Sequence, residues 1–175
     1  MKKTLITLII ITYSLLSFGQ KVDFRGGSVS LPDGIEKIDK NEGRRHVANK
    51  FRNNRLADQI VSGANAKNIY RIGDVIVILN SQEHIIKEGH FATIKRSFDN
   101  MFRNDPTYKS QLKSVDGNII FTMDHQTGGV GYYSVFANDA SNSKIFSAMI
   151  QYNTSDINKA SKIADHIIKN IKFSN

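Results

Sequence analysis

Two segments contain clustered histidine and carboxylate side chains, which perform acid–base chemistry and bind metals. His84, Glu88 and His90 lie within seven residues, and imidazole and carboxylate are ligands of zinc. On one helix His84 and Glu88 would share a face while His90 would point elsewhere, so too few ligands converge. We therefore expect no metal site. The chain has no cysteine, which excludes a thiol nucleophile, a zinc–thiolate site and a disulfide framework.

Asp124 and His125 are the second candidate, as a pair for general acid–base catalysis. Adjacent residues of a strand point to opposite faces of the sheet, so these two side chains cannot orient each other. A small hydrolase with a site around His125, assisted by Asp124 or Asp139, stays open as an alternative that needs residues distant in sequence. The sequence leaves enzymatic activity uncertain and favours a non-catalytic role.

Residues 126–131, Gln-Thr-Gly-Gly-Val-Gly, are the glycine-rich candidate. Phosphate-binding glycine loops lead into the N-terminus of a helix, where the backbone N–H groups face the anion. This segment leads into Tyr132-Tyr133-Ser134-Val135-Phe136, a predicted strand. It is interpreted as a hairpin loop, and no cofactor is expected.

Aromatic residues alternate along the predicted strands at Tyr132, Tyr133, Phe136, Phe146 and Tyr152. A nucleic-acid stacking platform would need basic residues between them, and the intervening residues are small or neutral. We expect these rings to pack in the core.

The strongest charge concentration lies in residues 40–55, where six basic residues accompany one acid, Glu42. The basic residues are Lys40, Arg44, Arg45, Lys50, Arg52 and Arg55. The four arginines are the candidate ligand-binding residues, because on a helix they fall in one broad sector and a guanidinium group suits carboxylate and phosphate. The expected partner is an envelope protein, a lipid headgroup or a polysaccharide. The alternative is a solvated helix face.

The first nineteen residues have the pattern of a secretory signal peptide. A positive start, Met1-Lys2-Lys3, precedes an apolar run from Leu5 to Leu16 that as a helix would rise about 18 Å, less than the ~30 Å hydrocarbon core of a membrane. The small residues Ser17 and Gly19 predict cleavage before Gln20. An uncleaved N-terminal anchor is the alternative.

Export and domain organisation follow from this reading. We expect residues 1–19 to be a signal peptide and residues 20–175 to be one α+β domain, located in the periplasm or outside the cell, where nucleic acid is not the expected partner. Loss of Lys2 and Lys3 lowers the formal net charge from +8 to +6, which leaves the mature protein basic.

The elements that would position these residues follow from the hydrophobic pattern. The predicted strands cover residues 28–31, 75–79, 111–115, 118–123, 132–137 and 145–152, with a hairpin turn at Asp116-Gly117. The predicted helices are part of 40–62, an amphipathic segment over 91–102 that includes Phe91, Phe98 and Met101, and a C-terminal helix with Ser155 as N-cap. The apolar face of the C-terminal helix is expected to consist of Ile157, Ala160, Ile163, Ala164, Ile167, Ile168 and Ile171. The order predicts an α+β fold: an antiparallel sheet with a C-terminal four-strand meander, flanked by amphipathic helices.

This order, the opening segment Val29-Ser30-Leu31-Pro32 and the closing amphipathic helix that ends in Ile171-Lys172-Phe173 resemble the Mog1/PsbP-like α/β/α sandwich. The resemblance implies a binding or accessory module and assigns no functional residue. We expect an exported, non-catalytic binding or accessory protein that recognises an anionic envelope component or a partner protein. A periplasmic immunity-type interaction protein and the hydrolase around His125 are the alternatives.

Overall fold

The computed structural model describes residues 19–51 and 68–174. In these residues the strands are β1 (Lys21–Phe24), β2 (Gly27–Ser30), β3 (Glu36–Ile38), β4 (Ile69–Ile72), β5 (Val75–Glu83), β6 (Lys109–Val115), β7 (Asn118–Thr127), β8 (Val130–Asn138), β9 (Lys144–Asn153) and β10 (Ile171–Phe173). The helices are α1 (Lys40–Phe51), α2 (His90–Met101) and α3 (Ile157–Asn170), the last preceded by a 3-10 turn, Thr154–Asp156.

A seven-stranded antiparallel sheet forms the centre of the fold, in the order β3-β4-β5-β9-β8-β7-β6. Strands β6 to β9, which follow one another in the chain and in the sheet, are the predicted meander. Its first hairpin turns at Asp116 and Gly117, which both have positive φ, as a two-residue hairpin turn requires. The α+β prediction is confirmed.

A second, three-stranded sheet has β2 in the middle, with β1 and β10 paired antiparallel on either side. Val29 of β2 and Leu31 after it are fully buried. The expected strand at residues 28–31 is confirmed. The closing segment Ile171–Phe173, interpreted from sequence as the end of the last helix, is instead strand β10, because the helix ends at Asn170 and the chain becomes extended at Ile171.

Helix α3 covers one face of the large sheet and supplies the main core. Ala160, Ile163, Ala164, Ile167 and Ile168 are buried there against β5, β8, β9 and the small sheet. This apolar stripe is the one that the sequence predicts. The predicted Ser155 N-cap is wrong, because residues 154–156 form a 3-10 turn and the cap position of α3 falls to Asp156, which makes no side-chain capping bond.

Helices α1 and α2 lie on the opposite face of the large sheet. Val47 of α1 packs with Ile69, Ile76 and Ile78. On α2, Phe91 and Phe98 belong to a cluster with Phe121 of β7. Strand β5 is buried on both faces over residues 75–79, as its unbroken apolar run predicts. Met101, expected on the apolar side of α2, is 70% exposed, since the helix ends there.

Across the described residues, no helix is long and apolar enough to cross a membrane. The segment read from sequence as a signal peptide lies almost entirely outside them, as does the second half of the predicted helix at 40–62.

Candidate functional site

Asp124 and His125 lie side by side on β7 but on opposite faces of the large sheet. Asp124 is buried on the face that carries α3. His125 packs on the other face, with its ring 4.8 Å from the ring of Phe102 and 5.1 Å from that of Tyr132, measured between centroids. The strand therefore separates the two groups, as its alternation predicts, and they do not form a catalytic dyad.

His125 packs against two aromatic rings and is half-buried. Burial lowers the pKa of its imidazole, although the charges of Asp105 and Asp124 act in the opposite direction. The buried Nδ1 atom has no hydrogen-bond partner. An imidazole with a lowered pKa that packs against Phe102 and Tyr132 has the environment of a partly buried structural residue.

Asp139, the other carboxylate considered for a hydrolase, lies at the far end of the same strand pair. Its carboxylate accepts hydrogen bonds from the backbone N–H groups of Ser143 and Lys144, at 2.8 Å each, and from the hydroxyls of Ser141 and Ser143. Tyr132 pairs with His125, and Asp139 follows seven residues later, directly after the end of β8 and roughly 23 Å away. The proposed combination of His125 with Asp139 is therefore wrong, and Asp139 instead organises the loop between β8 and β9.

Asp124 is joined to Tyr152 by a hydrogen bond that crosses a complete strand. The Tyr152 hydroxyl on β9 donates to Asp124 Oδ1 on β7 at 2.5 Å, and β8 lies between them. The bond is possible because Gly131 is directly opposite Tyr152 and has no side chain, so that the ring fills the space above it. A glycine in β8 thus determines what the buried carboxyl contacts.

Burial shifts the pKa of Asp124 and of the two neighbouring tyrosines, Tyr133 and Tyr152. Desolvation raises the pKa of Asp124, against the lowering effects of the Tyr152 hydrogen bond and of His125 and Lys109. Desolvation and the nearby Asp124 raise the pKa of Tyr152, and desolvation raises that of Tyr133. A buried carboxyl with perturbed titration is the kind of group found at binding sites, although structural networks show it too.

A cavity of about 330 Å³ opens beside Asp124, between β6–β8 and the first turns of α3. Its lining residues are Lys109, Ser110, Gln111, Thr122, Met123, Asp124, Tyr133, Ile157, Asn158 and Ser161. His125 is not among them, since it projects to the other face. The cavity is lined mostly by hydroxyl, amide and charged groups, which suits binding of a small polar molecule better than acid–base catalysis.

The predicted arginine patch is only partly within the described residues. Arg44 and Arg45 lie on α1 and are exposed, whereas Arg52 and Arg55 fall outside the described part of the chain. Two acidic residues near α1, Glu36 and Glu42, form ion pairs. Arg71 of β4 bridges Glu36 and Glu42, with N–O distances of 2.5 and 3.0 Å.

Asp39 directly precedes α1 and binds backbone N–H groups of the helix. It accepts bonds from the backbone N–H groups of Asn41 and Glu42, at 2.8 and 2.9 Å, and so caps the helix. Sequence reasoning overlooked both of these roles. The Asp39 cap could have been found from its position before the helix, whereas the Arg71 bridge depends on tertiary structure.

The segment with His84, Glu88 and His90 does not form one helix. His84 lies in the loop after β5, Glu88 in a turn, and His90 begins α2. Among the described residues, no group of three or more histidine and acidic side chains is arranged to hold a metal ion. Glu88 and His90 line a surface cavity of about 440 Å³ together with the exposed Leu112.

The glycine-rich segment forms the turn between β7 and β8, as the sequence predicts. Gly128 and Gly129 have positive φ and occupy the turn itself. The predicted core packing of the aromatic residues is also confirmed. Phe146 and Tyr152 are fully buried, and Tyr132, Tyr133 and Phe136 are half-buried against other side chains.

Comparisons with known proteins identify the fold. No protein-family model and no curated protein matches the chain. Among solved structures it is similar to cyanobacterial PsbP (CyanoP) from Synechocystis sp. PCC 6803, with a TM-score of 0.52 and 9% sequence identity, over 91% of this chain and 94% of that one. The chain therefore has a Mog1/PsbP-like fold, which confirms the resemblance seen in the sequence. At this identity the similarity shows the fold alone.

Proposed function

We propose that this chain with a PsbP-like fold is an exported, non-catalytic binding protein that attaches to an anionic component of the cell envelope. The observation that carries the non-catalytic part is the separation of Asp124 from His125 by the sheet. The sequence offered these two as an acid–base pair, and a general base needs a partner and a substrate within hydrogen-bond reach. The fold is compatible with an accessory role.

The attachment surface in this proposal is the outer side of α1, with Arg44 and Arg45 in the described part and Arg52 and Arg55 following in sequence. Support comes from the neighbouring acids. Arg71 pairs with both Glu36 and Glu42, which lowers the charge of that cluster from −2 to −1 and weakens its repulsion of an anion near α1. Arginine forms paired hydrogen bonds with phosphate and carboxylate, which makes lipid headgroups and acidic polymers suitable partners.

Binding of the mature protein to vesicles tests this proposal. We expect co-sedimentation with phosphatidylcholine vesicles that contain phosphatidylglycerol and weak binding to phosphatidylcholine alone. Binding should be lost as salt rises, because the Debye length is about 8 Å at physiological ionic strength and shortens as salt is added. A parallel experiment with polygalacturonate separates a lipid partner from an acidic polysaccharide.

The variant R44E/R45E should lose this binding and keep its thermal midpoint. The matched control is K162E/K169E, which makes the same charge change at two exposed positions of α3 on the opposite face. Equal loss in both variants would mean that net charge, and not the surface of α1, attracts the vesicles. Unchanged binding by R44E/R45E would refute the proposed surface.

Export is part of the proposal and has its own test. Strand β1 begins at Lys21, one residue after the expected new N-terminus, and the carbonyl of Gln20 accepts a bond from the Leu31 N–H at 2.9 Å. Cleavage before Gln20 would thus leave the first sheet intact. Intact mass of the protein recovered from culture should correspond to residues 20–175, and a membrane-bound form that retains residues 1–19 would contradict the proposal.

A further inference from the structure

The cavity beside Asp124 has two opposite charges at one level of the sheet. Lys109 of β6 is directly opposite Asp124 of β7, and Tyr133 of β8 is opposite Asp124 on the other side, so the three side chains form a row on the face that carries α3. All three line the cavity of about 330 Å³. This row therefore places a cation, an anion and an aromatic ring around one small space.

The two charges attract each other but are not joined as an ion pair. Lys109 lowers the pKa of Asp124 only through space, and among the described side chains it makes no salt bridge. Asp124 is 7% exposed, and Tyr152 donates a side-chain hydrogen bond to its Oδ1. A buried carboxylate that no cation contacts directly is unfavourable, so a positively charged ligand group between Asp124 and Lys109 would stabilise it.

The third wall of the cavity favours negative charge. Ile157, Asn158 and Ser161 belong to the first turns of α3, and the acid at its cap position, Asp156, makes no side-chain capping bond to the N–H groups of the first turn. The partial positive charge of a helix N-terminus attracts anionic groups. Together with Lys109 it makes this side of the cavity suitable for a carboxylate, while Asp124 suits an ammonium group.

We propose that this cavity binds a small zwitterion of amino-acid size, with its ammonium group on Asp124 and its carboxylate on Lys109. A simple anion would bring its charge close to Asp124, and a simple amine would bring its charge close to Lys109. A ligand that carries both charges matches both walls. The volume is at the lower end of the range for ligand cavities, which excludes a lipid or a long peptide from complete enclosure.

The site is independent of the proposed attachment surface. Helix α1 packs on the opposite face of the sheet from this cavity, so loss of vesicle binding in R44E/R45E and loss of amino-acid binding can be separated. The Tyr133 ring adds a surface on which an ammonium group is attracted to the π-electrons. The hydroxyls of Thr122 and Ser161 offer hydrogen bonds to the carboxylate or to a polar side chain.

The test begins with the mature protein and each of the common L-amino acids, monitored through the thermal midpoint and then through ¹H–¹⁵N NMR. We expect at least one amino acid to shift the amide signals of Lys109, Asp124 and Asn158. For serine the matched probes are ethanolamine, which lacks the carboxylate, and glycerate, which has a hydroxyl in place of the ammonium group. Each should bind about tenfold more weakly than serine, as loss of one charged contact implies.

Two variants locate the site and one controls for charge. D124N retains an oxygen for the Tyr152 hydroxyl but has no charge, and K109Q removes the cation at an exposed position. Both should weaken binding by about tenfold. K113Q is the control, since Lys113 lies on the same strand and face but outside the cavity. The proposal is overturned if no amino acid binds, if ethanolamine and glycerate bind as well as serine, or if K109Q binds like the wild type.

Discussion

Gly131 and Tyr152 are directly opposite each other on β8 and β9, and the tyrosine ring occupies the space that a side chain at position 131 would fill. A methyl group on Gly131 would lie 2.0 Å from Cζ of Tyr152 and 2.5 Å from its hydroxyl oxygen. The absence of a side chain at one position thus allows the hydrogen bond between two strands that are not neighbours.

Gly131→Ala should therefore destabilise the protein by about 1–3 kcal/mol, the range for overpacking in a core. The measurement is urea unfolding. Repeating it over a pH series reports the pKa of Asp124, which the hydrogen bond from Tyr152 lowers. In a Tyr152→Leu background the same glycine substitution should have a much smaller effect, because the ring atoms that it meets are absent. Equal effects in the two backgrounds would show that the ring is not the obstacle.

Asp124→Asn should change how stability depends on pH. Burial raises the pKa of Asp124 in the folded state above its ordinary value near 3.8, so the folded protein binds the proton more tightly than the unfolded chain. The wild type should lose stability relative to Asp124→Asn as pH rises from 3.8 to the folded pKa, and the difference should then stay constant.

Urea unfolding of both proteins over a pH series measures this difference directly and cancels the other carboxyl groups. Asp99 and Asp105, for example, have lowered pKa values and act with the opposite sign in both proteins. A difference that does not change with pH would show that the carboxyl of Asp124 is solvated.

His125→Phe should remove a different part of the pH dependence. Burial lowers the pKa of His125 below 6.5, so the unfolded chain takes up this proton first as pH falls. Wild-type stability should rise between the folded pKa and 6.5 and be complete above 6.5. A phenylalanine would keep the contacts with Phe102 and Tyr132 and has no unpartnered nitrogen.

The unfolding free energy of the variant should therefore be flatter over this interval, with little change at pH 7. Parallel curves for His125→Phe and the wild type would mean that the imidazole titrates freely. A large loss of unfolding free energy at pH 7 would mean that a ring nitrogen of His125 makes a hydrogen bond that stabilises the fold.

Ile167→Ala should be the most damaging of the four substitutions. Ile167 has no exposed surface and packs in the main core between α3 and the large sheet. Removal of a buried isoleucine side chain beyond Cβ typically lowers the free energy of unfolding by about 2–5 kcal/mol. Lys169→Ala, on the exposed side of the same helix, should stay within about 0.5 kcal/mol of the wild type. A loss below about 1 kcal/mol at Ile167 would show that α3 is not docked.

The meander and α3 could be predicted because their signals are local. Asp116-Gly117 favours a two-residue turn, and the isoleucines of α3 recur at helical spacing. Ser155 misled the prediction because serine is a common N-cap, and sequence alone does not distinguish a cap from a 3-10 turn before the helix.

The contents of the candidate site could not be predicted, since they depend on the register of several strands. The contact between Tyr152 and Asp124 requires β7, β8 and β9 to align so that Gly131 lies between them. The bridge from Arg71 to Glu42 likewise requires α1 and β4 to meet. Local periodicity predicts neither strand register nor helix docking. Sequence analysis therefore paired Asp124 with His125, which is adjacent in the chain, and could not identify the residues that contact Asp124 in the fold.

The small sheet has a consequence for when the protein can finish folding. Val29 of β2 pairs with Ile171 of β10, about 140 residues further along the chain. The middle strand of that sheet cannot obtain its second partner until residues 171–173 are available, and such distant pairings form slowly. In the export that we propose, the sheet could therefore close only after residues 171–173 had also crossed the membrane.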